Sequence, residues 1–208
     1  MFILNPLIGI LFGSIYIYNS REFIELVLTQ PIKRGTIFFG LFWGLTIPFA
    51  LVSTIGVGIP IAISQIIDFG LLGNLISTSI LVICIFVALA FFITTLIPER
   101  SSGLGVAFLI WLFLCWIYDG FILFFSYAFQ DYPIESAILT LTIANPIDLA
   151  RISMLIRIET AAMLGITGAV FQQFITESWG KIITFAVHLI WIVIPLVFAY
   201  NLFKRKDF

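Results

Sequence analysis

The sequence predicts an all-α, polytopic helical membrane bundle, and three observations carry that expectation. The 208 residues are 62% hydrophobic and only 10% charged, with a mean hydropathy of +1.19. Their apolar residues run on without the three-to-four-residue rhythm of a soluble helix, which must leave one face polar. The ten-residue alternation of a membrane β-barrel, the other closed solution for a chain in lipid, is absent.

A hydrocarbon core of about 30 Å requires roughly 20 apolar helical residues. On that measure five spans are expected, at about 2–18, 36–64, 74–97, 103–129 and 180–203. In the second, Pro48 predicts a bend and Pro60 an end, because proline lacks the amide that continues the helical ladder. Residues 65–73 read as a short turn, Pro98–Gly103 as a tight one, and residues 130–180 as a longer segment at the outer face.

Orientation follows from Lys and Arg in short loops. With alternating spans, Arg21, Lys33, Arg34, Arg100, Lys204, Arg205 and Lys206 fall on one side, seven of the ten Lys and Arg in the chain. That side, with the C-terminus, is therefore expected to be cytoplasmic. The other side is acidic, with Asp68, Asp131, Glu135, Asp148, Glu159 and Glu177 against Arg151, Arg157 and Lys181. Five spans and a cytoplasmic C-terminus place Met1 outside with no basic flank to direct it there, so a further span is expected upstream.

The densest charge lies in Tyr18–Gly35, "YNSREFIELVLTQPIKRG". Asn19 and Glu22 read as a capping pair, and Arg21–Thr29 as a short helix that Pro31 stops. Phe23, Leu26 and Val27 form an apolar stripe, with Glu22, Glu25 and Thr29 away from its centre. Two readings remain open: an interfacial helix on the lipid headgroups anchored by Lys33 and Arg34, or a docking helix that a cytoplasmic partner grips.

In the outer segment Asn145 is a good N-cap and Pro146 suits the first helical position, so a helix is expected at or just before Ile147. Ile152, Leu155 and Ile156 share a face, and Asp148 and Arg151 are spaced to pair. The apolar stretch Ala161–Phe174 completes a segment that makes no clean span, and an interfacial amphipathic helix is its plain reading. Two ionisable groups fall inside spans, Asp119 in the fourth and His188 in the last. Such groups are functional candidates because burying them is costly, although Asp119 could simply reach the interface and His188 be structural.

Several function classes are excluded. No basic patch with interleaved aromatics speaks for nucleic acid. Cys84 and Cys115 sit alone in apolar runs, and Met1, Met154 and Met163 with the single His form no soft-ligand cluster, so no metal site or copper path is expected. No G-x-x-x-x-G-K-[ST] loop cradles ATP, and no intramembrane protease constellation is present, so the chain is not expected to be an enzyme or to hold a cofactor of its own.

"NSREFIELVLTQPIKRGTIFFG" resembles the stretch after the second membrane helix of ABC-2 type transporter permeases. "DYPIE", "NPIDLARI" and "GITGAVFQQF" resemble the NosY-type permeases of nitrous oxide reductase maturation, in order along the whole chain. The resemblance implies a single transmembrane domain over residues 1–208, a six-span family pattern of which the first span is missing, and residues 19–35 as a coupling-helix loop. Arg21, Glu22, Phe23, Glu25, Leu26, Lys33 and Arg34 would then meet a cytoplasmic ATPase subunit, which binds the ATP. It further implies a homodimer in the inner membrane, re-entrant helices at residues 130–180 with Asn145, Pro146, Asp148 and Arg151 as outer-gate candidates, and a periplasmic accessory partner. A generic ABC-2 exporter of lipid, drug or polysaccharide and a non-transporting membrane scaffold remain as alternatives.

Overall fold

The computed structural model describes residues 2–63, 69–130, 132, 134–155 and 178–205, and among them there are helices, turns and no strand. Eight helices follow in order: α1 (Leu4–Asn19), α2 (Arg21–Leu28), α3 (Arg34–Ile63), α4 (Phe69–Leu96), α5 (Arg100–Ala128), α6 (Glu135–Ala144), α7 (Pro146–Leu155) and α8 (Ser178–Arg205). Helices α3, α4, α5 and α8 are long and apolar enough to cross a bilayer. The first expected span, α1, is shorter, about 24 Å at 1.5 Å per residue. The stretch Ala161–Phe174, with Asp68, Asp131, Arg157, Glu159, Glu177 and Lys206, lies outside the described residues.

Helix α4 is the axis of the bundle. Every residue from Val82 to Phe91 is buried, which requires neighbours on all sides, and α1, α3, α5, α7 and α8 supply them. The outward faces of α3, α5 and α8 instead expose Trp43, Leu51, Ile55, Leu109, Trp116, Phe124, Ile190 and Phe198, as a lipid-facing surface should. Helix α3 passes through Pro48 and ends three residues past Pro60, and α8 passes through Pro195. A membrane helix tolerates the lost amide because no water competes for the rest of the ladder.

Helix α1 reaches the axis through small residues. A Cβ added at Gly13 would stand 2.9 Å from Ala90 Cβ, and one at Gly9 would stand 3.0 Å from Phe86 Cβ. The glycines, four apart on one helix face, thus let two backbones meet closely, the means by which packing replaces the hydrophobic effect between helices in lipid. Ile8–Phe12 between them is a π-helical turn, and Ser14 is fully buried one residue further on.

Helices α6 and α7 form a re-entrant hairpin. Tyr118 of α5 donates to the Leu141 carbonyl at 2.7 Å, and Ile122 packs beside Ile138, so α6 runs back along the C-terminal half of α5. At Asn145 the chain turns, level with Leu114 near the midpoint of α5, and α7 climbs back until Arg151 meets Asp119. Irregular backbone at that depth needs protein around it. Asn145 is 1% exposed, its N–H reaches Thr142 O and its carbonyl accepts from Leu149. Among the α7 residues whose side chains are described, Pro146, Ile147, Asp148, Leu149, Ala150 and Met154 are buried. Of the expected apolar face, Ile152 packs against Ile138 of α6, and Ile156 lies outside the described residues.

Candidate functional site

The basic residues gather at the end of the bundle where α1, α4 and α8 finish and α3 and α5 begin. The short helix α2 lies there, and two details of its local reading change. Asn19 is the last residue of α1 and Ser20 is the N-cap of α2, without a side-chain capping bond. No capping pair is needed because the backbone is nearly continuous: Ser20 N bonds Tyr16 O at 2.9 Å and Ile24 N bonds Ser20 O at 2.8 Å. The expected apolar stripe is also divided, with Val27 turned to the bundle. Ile24, 3% exposed, enters a core cluster with Phe38 and Phe91, backed by Val27 and Leu28, while Phe23 and Leu26 are 58% and 67% exposed beside exposed Glu22 and Glu25. Apolar residues occur on both faces of this helix, and packing of Ile24 decides which one is inside.

Arginines flank α2 and each closes the end of another helix. The last carbonyls of a helix lack intrahelical donors and carry the negative end of its dipole, so a guanidinium there is favourable. Arg21 donates from Nη1 to Pro98 O at 2.5 Å and from Nη2 to Thr94 O at 3.3 Å, at the end of α4. Its guanidinium lies 4.6 Å from the Tyr18 ring centroid, and the Tyr18 hydroxyl donates to Ile97 O at 2.8 Å. Arg34 donates to Lys204 O at 2.8 Å, at the end of α8, where Lys204 Nζ covers the Tyr200 ring at 4.5 Å. Lys33 is exposed. At the start of α5, the Ser101 and Ser102 hydroxyls donate to Glu99 at 2.7 and 2.8 Å and hold its carboxyl below the usual range.

At the hairpin, the sequence-predicted cap is present and extended. Asn145 Oδ1 accepts from Ile147 N at 3.0 Å, while Asn145 Nδ2 donates to Asp148 Oδ2 at 2.9 Å and to Leu114 O at 2.8 Å. Leu114 belongs to the π-helical turn Phe113–Ile117 of α5, where the ladder is widened. Arg151 joins two carboxylates: its Nη1 is 2.5 Å from Asp119 Oδ2 and 3.6 Å from Asp148 Oδ1. The spacing Asp148–Arg151 was readable, whereas the closer partner, 32 residues away, was not. Asp119 therefore meets a cation within the protein, and a cavity of about 360 Å³ lined by Phe2, Ile3, Cys115, Trp116, Asp119 and Arg151 opens beside the pair.

His188 of α8 is 1% exposed, with Nδ1 2.7 Å from Thr184 O. A carbonyl only accepts, so Nδ1 carries a proton. Trp191, one turn on, donates to Ala144 O at 3.2 Å. Thus α8 lines the turn of the hairpin. Among the described residues no group of three or more His, Cys, Asp or Glu could hold a metal ion.

Four helices long and apolar enough to span, a re-entrant hairpin whose second helix is buried and a short amphipathic helix at the basic end define a polytopic helical membrane protein. The chain belongs to the ABC-2 family of transporter proteins, whose family model matches residues 1–208. It is similar to the probable ABC transporter permease protein NosY of Pseudomonas aeruginosa, 28% identical over 98% of this chain and 76% of the relative. It is also similar to the probable ABC transporter permease protein NosY of Stutzerimonas stutzeri, 27% identical over 98% of this chain and 76% of that relative. The chain is thus a permease subunit, a membrane transport component rather than an enzyme, and its family implies an ATPase partner.

Proposed function

We propose that this permease couples ATP hydrolysis by a separate cytoplasmic ATPase subunit to movement of cargo across the cell's inner membrane, with α2 as the helix on which the ATPase docks. The observation that carries the reading is the orientation of α2. Ile24 fixes it inward, and Phe23 and Leu26 stand exposed beside Glu22 and Glu25 on the side away from the bundle, an apolar anchor with acidic neighbours suited to a protein groove. A helix that merely lay on headgroups would present basic rather than acidic flanks to anionic lipid.

In this reading the basic end and the C-terminus face the cytoplasm. Two copies of the chain assemble with two ATPases, and the α6–α7 hairpin, with Asn145, Pro146, Asp148 and Arg151, works at the outer face as a gate or as a surface for a periplasmic accessory protein. The resemblance to NosY-type permeases adds to this proposal a place in assembling the copper sites of nitrous oxide reductase. Export of a lipid, drug or polysaccharide is the outcome if loss of the permease leaves that enzyme intact.

The test is co-purification of the ATPase with the wild-type chain and with Glu22→Lys and Phe23→Asp. Both substitutions are at exposed positions and should leave the permease folded while releasing the ATPase. A folded Phe23→Asp permease that still holds its ATPase would overturn the docking assignment.

A further inference from the structure

The docking helix is attached to the bundle through the end of its central helix. Helix α2 packs directly on α1 and α3, and its side chain Arg21 reaches across to the carbonyls of Thr94 and Pro98. Both nitrogens of a planar, charged fork are engaged, and the Tyr18 ring lies against the guanidinium while its hydroxyl takes the Ile97 carbonyl. Charge-assisted bonds of this kind are shorter and stronger than neutral ones, and a lysine could satisfy only a point of this geometry. Gly103 at the start of α5 gives the Tyr18 hydroxyl its place, since a Cβ there would collide with it.

The other end of the connection is equally specific. Helix α4 is buried on all sides from Val82 to Phe91, and close-packed interiors move as rigid units rather than yielding locally. Val82, Ile85 and Phe86 of α4 share one core cluster with Ile147 and Ala150 of α7. A displacement of the α4 end therefore has a continuous packed route to the re-entrant hairpin.

We propose that Arg21 is the positioning residue that relays motion in this transporter. By capping the C-terminal end of α4, it ties the docking helix to the bundle axis, so that an ATP-driven shift of α2 is delivered through α4 to the far end of the bundle and to α7. The inference rests on the docking role proposed for α2 and adds the route by which the shift leaves it. Arg34, which caps α8 in the same manner, is a second tether from the same loop.

The relay is tested in the full transporter, permease with its co-purified ATPase in lipid nanodiscs. The reporter is Gly73→Cys, near the far end of α4, where an added side chain meets open space. Its rate of reaction with a membrane-impermeant maleimide is compared with and without ATP and vanadate; the native Cys84 and Cys115 are buried. Wild type should show a nucleotide-dependent change in rate. Arg21→Gln complexes that retain the ATPase should lose that change, and Arg21→Lys should recover part of it. If Arg21→Gln fails to assemble, the same comparison with Arg21→Lys decides, a full wild-type response counting against the relay. An Arg21→Gln transporter that holds its ATPase and responds in full overturns the relay alone, as does a wild-type complex with no response. Absence of ATPase binding by the wild-type chain overturns the docking reading, and the relay with it.

Discussion

The side-chain amide of Asn145 donates to the carbonyl oxygen of Leu114 at 2.8 Å, joining the turn of the re-entrant hairpin to the π-helical turn of α5. Asn145 is the one residue that caps α7, orients Asp148 and closes a widened turn on another helix. Each bond needs an atom that alanine lacks. Asn145→Ala leaves the Ile147 N–H and the Asp148 carboxylate without their partner in a buried site. A buried group left unsatisfied costs about 1–3 kcal/mol, so the melting temperature in detergent should fall clearly. Asn145→Asp keeps the capping acceptor but places a second carboxylate against Asp148 and should be no better tolerated. An unchanged melting temperature for both would mean that the hairpin turn is held by apolar packing instead.

Gly103 and Gly105, two residues apart on α5, should respond oppositely to alanine. A Cβ at Gly103 meets the Tyr18 hydroxyl and ring, whereas one at Gly105 meets nothing within 4 Å. Gly103→Ala must displace Tyr18 from Ile97 O and with it the ring that supports Arg21, an overpacking loss of about 1–3 kcal/mol. Gly105→Ala should be neutral, or up to about 1 kcal/mol stabilising through helix propensity. Thermal unfolding of the two variants in parallel checks the sign of each.

The same logic applies where α1 meets the bundle axis. Gly13→Leu would drive a branched side chain into the 2.9 Å space before Ala90 Cβ, while Gly40→Leu on α3 enters open surroundings. The expected result is a detached or shifted α1 in Gly13→Leu, seen as a lower melting temperature and new proteolytic cuts within residues 4–19, with Gly40→Leu close to wild type. Equal behaviour of the two would remove the close approach as the reason α1 docks.

What the sequence made legible divides by range. Long apolar runs placed four of the five expected spans, since span length is a property of one segment against the bilayer, and Asn145–Pro146 announced the start of α7, since capping is settled within three residues. The Asp119–Arg151 pair was not legible, because it joins residues 32 apart whose meeting depends on α7 turning back inside the bundle. The inward face of α2 was not legible, because Phe23 and Leu26 are as apolar as Ile24 and Val27, and only packing on Phe38 and Phe91 chooses between them. The Gly9 and Gly13 spacing was a readable sign of close helix approach, overlooked by a reading based on apolar length.

Arg151 holds two acids with one cation, and that arithmetic orders the effects of three substitutions. Its Nη1 lies 2.5 Å from Asp119 and 3.6 Å from Asp148, so Arg151→Gln removes the cation that both acids share and leaves the two side chains without it. Breaking such a site by taking one partner away is more damaging than removing the pair together. Asp119→Asn alone keeps Arg151 opposite Asp148 and should be the mildest change. The double variant Asp119→Asn/Arg151→Gln should regain part of what Arg151→Gln loses, with a coupling of about 0.5–3 kcal/mol between residues in contact. Melting temperatures of the four proteins close the cycle. Strict additivity would show that Asp119 and Arg151 are not joined in the membrane, and that the hairpin is secured to α5 by Asn145 and Tyr118 alone.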